Sequence, residues 1–210
     1  LGGLHSAEIL LYSVDFQRIE ELQMAGRWSE AAEILGSAAR RLETAGADLL
    51  VLCTNTMHKV AEEIEAKTNI PLLHIADATG EEIRHGGLSS VGLLGTRFTM
   101  EETFYRKRLE DRFGLHVVIP DELERALVHR VIYEELCRGQ TLEESRREYR
   151  KVLHRLAALG AEGIILGCTE ISLLVGPEDS PVPLFDTTEI HARRAAELAL
   201  ETGSGSSETA

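Results

Sequence analysis

Cysteine is scarce in this sequence, and long apolar runs are missing altogether. The 210 residues include only three cysteines, an odd number spread far apart at Cys53, Cys137 and Cys168. Together with the lack of a secretory signal pattern, this argues against a disulfide framework and favours a reduced, cytoplasmic setting. No run of about 18 apolar residues is present, so we expect neither a membrane-spanning helix nor a membrane partner.

Basic residues are also few compared with acidic ones. Lys plus Arg number 22 against 35 for Asp plus Glu, which gives a formal net charge of −13 at pH 7. A nucleic-acid partner or an anionic membrane would require a basic patch, so this balance speaks against both. It does not exclude an anionic small substrate, because a few local groups can dominate the field in a cleft.

Sequence signatures of nucleotide and metal sites are absent as well. Neither Gly-x-Gly-x-x-Gly nor Gly-x-x-x-x-Gly-Lys-Ser/Thr occurs, so the main signal for a phosphate-binding loop is missing. The histidines fall into no metal-ligand spacing with the cysteines, and no lysine stands in a context typical of a Schiff base. These absences speak against a nucleotide cofactor and against a metal site.

What the sequence does contain is a regular alternation of short apolar runs and longer amphipathic ones. The apolar runs are rich in Ile, Leu and Val without polar alternation, which is typical of parallel strands buried on both faces. Strands are predicted over Ala7–Val14, Leu49–Cys53, Pro71–Ile75, Ser90–Leu94, His116–Ile119, Gly163–Leu166 and Pro183–Phe185. Helices are predicted over Ser29–Thr44, Thr56–Lys67, Met100–Arg112, Asp121–Cys137, Leu142–Ala158 and Thr188–Leu200. This order indicates an α/β fold with right-handed crossovers.

An internal repeat is the most informative feature of the chain. Residues 46–56 align without a gap on residues 160–170, and each copy runs from Gly-Ala-acid through an apolar strand to small polar or thiol residues. Many βα units look alike, but strand ends that read Cys-Thr-Asn-Thr and Gly-Cys-Thr-Glu favour two related half-molecules. Gly46 and Gly160 lie where a left-handed residue would end the preceding helix. The predicted fold is therefore α/β, with two pseudo-symmetric Rossmann-like halves, parallel sheets and an active site in the cleft between them.

The predicted halves have approximate bounds in the sequence. We expect an N-terminal half of residues 1–87 plus 186–202 and a C-terminal half of residues 88–185. The remaining residues 203–210 are rich in Gly and Ser, which predicts a flexible tail.

Cys168 is the strongest candidate for chemistry. It follows Gly167 at the end of a predicted strand, where the chain is expected to lead into a helix. Backbone N–H groups and the positive end of a helix dipole would lower the pKa of the thiol from about 8.5 towards neutrality. Such a thiol can act as a general base near the operating pH, whereas an arbitrary cysteine is more often a small buried hydrophobe.

The first copy of the repeat offers a second polar cluster at the matching strand end. Cys53 and Thr54 end the strand, and Asn55 and Thr56 follow with amide, hydroxyl and backbone N–H groups that suit a carboxylate. The same groups would also cap the helix. His58 lies just inside that helix, where it either influences the loop electrostatically or faces solvent or caps the helix.

Several of these stretches resemble the paired signatures of the aspartate/glutamate racemase family, which consists of cofactor-independent amino-acid racemases. The resemblance covers nearly the whole chain and is carried by Cys53–His58, Leu94–Thr99, Gly167–Ile171 and Phe185–Thr187. It implies an isomerase that inverts the α-carbon of an amino acid, either aspartate and glutamate or a broader set, by two-base proton transfer without pyridoxal phosphate. A homodimer is a further expectation from the family. One acid/base residue per half agrees with the internal repeat.

The sequence departs from the family pattern in its first motif. The family has Cys-Asn-Thr-x-His, whereas here Thr54 precedes Asn55 and the cysteine comes one residue earlier. The ungapped repeat likewise places Thr54 opposite Cys168. Because one step along a strand reverses the side-chain direction, Cys53 is expected to point into the core. The resulting hypothesis pairs Cys168, as the principal acid or base, with Thr54, and keeps Cys53 as the fallback.

A second departure concerns the N-terminus. Relatives begin with a central strand and a Gly-Gly-Met-Ser-Trp-like loop, whereas this sequence opens at Leu1-Gly2-Gly3-Leu4. The resemblance therefore predicts that the first strand and helix of the family are absent, which would expose sheet edges.

Other residues are expected to contribute less. From the resemblance, Gln23 and Glu135 would help to select the substrate side chain, with a surface or helix-face role as the alternative for both. Thr169 would bind substrate together with Asn55 and Thr56. Glu170 would orient the neighbouring thiol or bind the α-amino group. Thr96 either binds substrate polar groups or caps a helix.

Two other classes of function stay open. Hydantoin racemisation, maleate isomerisation and malonate decarboxylation are paired-thiol reactions of the same superfamily, and the threonine at position 54 makes them more plausible. The other class is a non-catalytic amino-acid-binding protein, in which Asn55, Thr56 and Thr169 hold a carboxylate but Thr54 moves no proton.

Overall fold

The computed structural model describes residues 7–203, with side chains as far as residue 200, so the predictions for the opening residues 1–4 and for most of the tail concern residues outside this range. Its helices are α1 (Phe16–Met24), α2 (Trp28–Thr44), α3 (Ala61–Glu65), α4 (Ile75–His85), α5 (Arg97–Glu101), α6 (Thr103–Phe113), α7 (Glu122–Glu134), α8 (Glu143–Ala158) and α9 (Thr187–Gly203). Its strands are β1 (Leu50–Val51), β2 (Leu72–Leu73), β3 (Ser90–Gly95), β4 (His116–Val118), β5 (Gly163–Gly167) and β6 (Leu184–Asp186). Short 3-10 helices cover Thr56–Val60, Leu136–Arg138, Ile171–Leu173 and Pro177–Asp179. In the part of the chain that the structure describes, no helix combines the length and the apolar character needed to span a membrane.

The chain divides into two compact units. Of the described residues, the first unit holds 7–52, 59–74 and 193–203. The second unit holds Cys53–His58 and Ile75–Ala192. Helix α9 therefore begins in the second unit and ends in the first.

A four-stranded parallel sheet forms the centre of the second unit. Its strand order is β4-β3-β5-β6, and every neighbouring pair is parallel. The pairing of β3 with β5 is the longest, and it places Leu93 opposite Ile165 and Gly95 opposite Gly167. Parallel neighbours require crossover connections, which α6 supplies between β3 and β4 and α7 with α8 between β4 and β5. The predicted α/β class with a parallel sheet is confirmed.

Both faces of this sheet are buried. The strand residues Leu94, Ile164 and Leu166 pack on one face with side chains of α7 and α8. Their neighbours Leu93 and Ile165 point to the opposite face and pack with side chains of α4 and α6. Burial on two sides explains why these strands are continuously apolar in sequence.

The first unit has a smaller sheet. Strands β1 and β2 pair in parallel over two residues each, with Leu50 opposite Leu72. Helix α2 buries a stripe that includes Ala31, Leu35 and Ala38. These positions are spaced by four and three residues, which is the pattern of an amphipathic helix with one face against a core.

The two copies of the internal repeat fold alike where they enter their strands. Gly46 and Gly160 adopt φ values of +98° and +97°, a conformation that favours glycine and that confirms the predicted helix ends. The N–H of Leu50 in the first copy and that of Ile164 in the second each donate to a proline carbonyl just before the neighbouring strand, both at 2.9 Å. The copies therefore share the end of the helix and the start of the parallel pairing.

The strand predicted over Ala7–Val14 is wrong. Residues 7–15 form neither strand nor helix, and the apolar side chains of Ile9 and Leu11 are 77% and 84% exposed. An extended segment becomes a strand only when a neighbour satisfies its backbone groups, and no strand of the described chain pairs with this segment.

Helices α1 and α4 lie outside the predicted elements. Helix α1 begins after the N-cap Asp15, whose carboxylate accepts a hydrogen bond from the N–H of Gln17 at 3.2 Å. Helix α4 contains Gly80, a residue that ordinarily weakens a helix. A Cβ at position 80 would lie 2.5 Å from a carbon of the Phe113 ring. The glycine that obscures the helical pattern therefore allows α4 to pack closely on α6.

The helix predicted over Thr56–Lys67 is instead a 3-10 helix followed by the short helix α3. The N–H of His58 donates to the carbonyl of Asn55 at 3.1 Å, which is the i to i−3 bond of a 3-10 turn. The polar residues after β1 therefore lie in a tight turn and not at the start of a long α-helix.

Candidate active site

Most of the candidate residues lie in the second unit, where its strands end. Strands β3, β5 and β6 are neighbours in one parallel sheet, so their carboxyl ends meet at the same edge. Thr96 directly follows β3, Cys168 follows β5 and Thr187 follows β6. Residues 53–58, called the first loop below, belong to the same unit. The carboxyl edge of an open parallel sheet is the usual place for a ligand.

Thr187 connects the first loop to β5. Its side chain is fully buried, and its hydroxyl donates to the carbonyl of Leu166 at 2.8 Å. Because the hydroxyl has a single proton, its oxygen must accept the second bond, which comes from Nδ2 of Asn55 at 3.0 Å. The bonded series Asn55–Thr187–Leu166 therefore ties the first loop to the strand that carries Cys168 two residues later.

This contact orients the side-chain amide of Asn55 and leaves its oxygen, Oδ1, without a hydrogen bond from the described part of the chain. Asn55 is 3% exposed, and Oδ1 has no hydrogen-bond partner among the described residues. A buried carbonyl left without a partner costs about 1–3 kcal/mol, so folded proteins usually supply one. A donor that reached this oxygen would remove that cost.

Three buried threonines form a second polar group. Oγ1 of Thr56 lies 2.9 Å from Oγ1 of Thr96 and 3.4 Å from Oγ1 of Thr99. Thr96 is also the N-cap of α5, because its hydroxyl accepts from the N–H of Thr99 at 3.3 Å. Thr96 thus caps a helix and, at the same time, contacts the first loop.

Thr54 and Cys53 differ in their surroundings. Thr54 is half-buried, and its carbonyl lies 2.7 Å from Nδ1 of His58, which is buried and does not face solvent. Cys53 is exposed, so the expectation that it points into the core is wrong. Strand β1 ends at Val51, and strand alternation therefore no longer determines the direction of residue 53.

Cys168 packs in part against the cluster that α7 and α8 form on the sheet. Its thiol donates to Oε2 of Glu170 at 3.0 Å. Burial raises the pKa of the Cys168 thiol well above its ordinary value, and the charge of Glu170 raises it further. The thiol is therefore protonated at neutral pH in the unliganded protein.

The expected lowering of this pKa is wrong. After Gly167 the chain makes a turn and then only a three-residue 3-10 helix, Ile171–Leu173. The aligned peptides of a longer helix, which would stabilise a thiolate, do not follow Cys168. The charged group that contacts the thiol is instead a carboxylate, and it favours the protonated form.

Glu135 is buried at the end of α7 with partners for both carboxylate oxygens. Ser145 donates to Oε2 at 2.5 Å, and Arg130 donates to Oε1 at 3.2 Å. Thr169 is half-buried beside the thiol. Gln23 is buried on α1 and belongs to the first unit.

Sequence reasoning misses Thr187 as a site residue. The signal that could have found it is the stretch Phe185–Thr187, which places a hydroxyl directly after a strand as the other candidates do. The Nε2 atom of His58 also lies 3.1 Å from the backbone nitrogen of Ile75, and this contact has no sequence signal because the two residues are 17 positions apart. Within residues 7–203, no group of three or more His, Cys, Asp or Glu side chains is placed to hold a metal ion.

Most of the chain is similar to one known protein family. The family model described as Asp/Glu/Hydantoin racemase matches residues 1–195. The chain belongs to this family. A candidate Asp/Glu racemase from Yersinia pestis is 57% identical, with a TM-score of 0.88 over 95% of this chain and 87% of that one. An aspartate racemase homologue from Pyrococcus horikoshii is 38% identical, with a TM-score of 0.81 and the same coverage.

A curated relative is also an amino-acid racemase. The broad specificity amino-acid racemase RacX from Bacillus subtilis is 27% identical over 164 residues, which is 78% of this chain and 70% of the relative. The aspartate racemase of Picrophilus torridus, at 20% identity and a TM-score of 0.65, shows the shared two-domain Rossmann-like fold. Racemases are isomerases, so this Asp/Glu/Hydantoin racemase family member is an enzyme of that class. The resemblance stated from the sequence motifs is confirmed.

Proposed function

We propose that this racemase-family chain inverts the α-carbon of aspartate, glutamate or a broader set of amino acids by two-base proton transfer without a cofactor. The proposed acid/base pair is Cys168 and Thr54, with Cys53 as the fallback partner. The observation that carries the proposal is the bonded series Asn55–Thr187–Leu166, which joins the first loop to the strand of Cys168 and leaves a buried acceptor free.

Substrate binding is assigned to Asn55, Thr56 and Thr169. A substrate α-ammonium group would give the buried Oδ1 of Asn55 the hydrogen bond that it lacks in the free protein. The hydroxyl of Thr56 and the N–H groups at the start of the first loop would bind the α-carboxylate. Donors held on that carboxylate would stabilise the negative charge that develops when the α-proton leaves.

The resting thiol of Cys168 first loses its proton to solvent, and proton transfer in one direction begins with the thiolate so formed. It removes the α-proton from one face, while the hydroxyl of Thr54 delivers its proton to the other face. The products are a Cys168 thiol, a Thr54 alkoxide and the inverted amino acid. Solvent returns a proton to the alkoxide and takes up the proton of the Cys168 thiol, which restores the starting thiolate. The carboxylate of Glu170, which accepts the S–H hydrogen bond at 3.0 Å, orients that proton. A threonine hydroxyl is a far weaker acid than a thiol, so the two partners are unequal.

The choice of substrate side chain is assigned by family resemblance to Gln23 and Glu135. Glu135 is buried and paired with Arg130 and Ser145, which holds its carboxylate in one orientation. A fixed carboxylate is suited to discriminate between side chains of different charge and length. This assignment stays a prediction.

Incubation with single-enantiomer aspartate and glutamate in deuterated water tests the proposal. We expect deuterium to enter at Cα with inversion of configuration, because solvent supplies the protons of both acid/base residues. Binding measured by calorimetry without any exchange would favour the amino-acid-binding protein. Turnover of a hydantoin, maleate or a malonate without amino-acid exchange would favour the related paired-thiol reactions.

A further inference from the structure

His58 is a buried residue that the proposed reaction does not use. It is 3% exposed and lies in the first loop, four residues after Thr54. Both nitrogens of its ring have partners. Nδ1 lies 2.7 Å from the carbonyl oxygen of Thr54, and Nε2 lies 3.1 Å from the backbone nitrogen of Ile75.

These two contacts determine where the ring carries its proton. The backbone nitrogen of Ile75 is a donor, so Nε2 of His58 must be the acceptor and is unprotonated. Nδ1 then carries the proton of a neutral imidazole and donates it to the carbonyl of Thr54. The ring of His191 lies edge-on to that of His58, with the two ring centroids 6.0 Å apart.

The same histidine also holds the next peptide of the loop. Its backbone N–H donates to the carbonyl of Asn55 at 3.1 Å. The peptide units that follow Thr54 and Asn55 are therefore both fixed by one residue. Ile75 is the first residue of α4, so its N–H has no partner within the helix and can donate to the ring of His58. This contact anchors the ring to α4.

We propose that His58, as a neutral ring with its proton on Nδ1, is a positioning residue that holds the hydroxyl of Thr54 in place for proton transfer. This inference rests on the proposed function, which gives Thr54 a proton to move. A residue that served only as a cap of α4 would need its Nε2 contact alone. The 2.7 Å contact to Thr54 is the feature that a cap does not require.

Two substitutions separate the two ring contacts. His58→Asn keeps an N–H donor near the position of Nδ1, so it can still bind the carbonyl of Thr54, but it loses the acceptor for Ile75. His58→Gln places an oxygen near the position of Nε2, so it can still accept from Ile75, but it loses the donor to Thr54. Thermal unfolding followed by circular dichroism shows whether both variants fold.

The readout is deuterium exchange at Cα, separated into exchange with inversion and exchange with retention. Inversion requires both Thr54 and Cys168, whereas retention on one enantiomer requires only the solvent-exchanged thiol of Cys168. The variant Thr54→Ala identifies that enantiomer, because it should exchange it with retention only. This separation distinguishes a misplaced Thr54 from a general loss of structure.

We expect His58→Gln to lower kcat for inversion roughly 10- to 100-fold, since a small misplacement of a reacting group has effects of that size. KM and exchange with retention should stay close to those of the wild type. His58→Asn should invert its substrate at nearly the wild-type rate. In a Thr54→Ala background, His58→Gln should not change the remaining exchange with retention, because it acts through Thr54.

Equal losses of inversion in both variants, or a parallel loss of inversion and retention in His58→Gln, would overturn the positioning role. Wild-type inversion in His58→Gln would overturn it as well. If the wild-type protein exchanges no α-proton with any amino acid, the proposed function itself is wrong, and the role of His58 in positioning Thr54 is wrong with it.

Discussion

The thiol of Cys168 and the carboxylate of Glu170 form a closely coupled pair, with the sulfur 3.0 Å from Oε2. Both residues are partly buried, so solvent screens the interaction between them less than it would at an exposed site. The carboxylate orients the S–H group and opposes its ionisation, in addition to the effect of burial on the thiol pKa. A thiolate formed against this opposition is a strong base, which removal of a weakly acidic α-proton requires.

Glu170→Gln should move the pH dependence of α-proton exchange to lower pH. The pKa of Cys168 is raised by burial and then by Glu170, so the thiolate that removes the proton becomes more abundant as pH rises. Removing the negative charge lowers this pKa, although burial still keeps it above the ordinary value. Initial rates of deuterium wash-in across pH 6 to 10 measure the shift. Glu170→Asp, which keeps the charge, is the control, and a profile that moves to higher pH in Glu170→Gln would contradict the account.

At the scale of residues, position is easier to predict than environment. The Gly-Cys-Thr-Glu strand end is sufficient to place Cys168 in the candidate site, because strands and their loops follow from local pattern. Its acidity depends on burial against α7 and α8, which a local pattern does not contain. The free oxygen of Asn55 likewise depends on Thr187, which lies 132 residues away.

At the scale of elements, the close pairing of β3 and β5 brings two site segments together. Gly95 and Gly167 face each other at the carboxyl ends of these strands. A Cβ at position 95 would lie 2.7 Å from the carbonyl of Gly167, and a Cβ at position 167 would lie 2.7 Å from the carbonyl of Leu94. Both contacts are with backbone, so a larger residue would push the strands apart just before Thr96 and Cys168.

Gly167→Ala should lower the free energy of unfolding by about 1–3 kcal/mol and should also lower α-proton exchange. The first effect follows from the backbone clash, and the second from displacement of the adjacent Cys168. Gly163→Ala is the matched control at the other end of β5, where the added Cβ would lie 2.6 Å from the Phe185 ring. It should destabilise the protein and leave the exchange rate of the folded molecules unchanged. Urea unfolding and deuterium wash-in measure both, and equal losses of exchange would contradict this reading.

A cluster of ion pairs around Asp179 holds the 3-10 helix Pro177–Asp179 against α8. The side chain of Asp179 is completely buried and accepts from Arg146 at 2.8 Å, from the N–H of Gly176 at 2.9 Å and from Arg150. Burial acts to raise the pKa of this carboxyl. The hydrogen bonds from Arg146, Gly176 and Arg150 outweigh it and lower the pKa from 3.8 to about 2.

Asp179→Asn should lower the free energy of unfolding at pH 7 by about 2 kcal/mol, since one pKa unit corresponds to ~1.4 kcal/mol. Because the folded-state pKa is depressed, the stabilisation is present above the unfolded pKa near 3.8 and is lost as pH falls towards 2. The difference between variant and wild type should therefore shrink below about pH 4. Glu178→Gln on the same 3-10 helix, where the side chain is 64% exposed, should change stability little. A deficit in Asp179→Asn that is independent of pH would contradict the assignment.

Helices and strands are likewise predictable where local pattern decides them and unpredictable where distant contacts do. The strands β3 and β5 are predicted well, because burial on both faces imposes a continuous apolar pattern. The segment Ala7–Val14 has a similar pattern, but a strand also needs a partner, and pairing is a property of the whole fold. The tight turn at Thr56–Val60 depends on contacts of His58 with distant backbone groups, so a helical pattern alone predicts the wrong geometry there.

At the scale of the whole molecule, the repeat explains why two distant stretches supply the candidate chemistry. Both copies leave a helix through a glycine of positive φ, enter a parallel strand at the same hydrogen bond and end in polar residues. The copies then diverge: the first ends in Thr54 and a 3-10 turn held by His58, and the second ends in a thiol beside Glu170. This divergence makes the proposed acid/base pair asymmetric.

The most direct measurement of the central claim is α-proton exchange in deuterated water by Cys168→Ala and Cys53→Ala, each compared with wild type on the same amino-acid enantiomers. Loss of a general acid/base residue lowers rates by roughly 100-fold or more. We expect Cys168→Ala to abolish exchange, whereas Cys53→Ala, which removes an exposed thiol, should retain most of it. Exchange that survives in Cys168→Ala and disappears in Cys53→Ala would contradict the assignment of Cys168 as the principal acid or base.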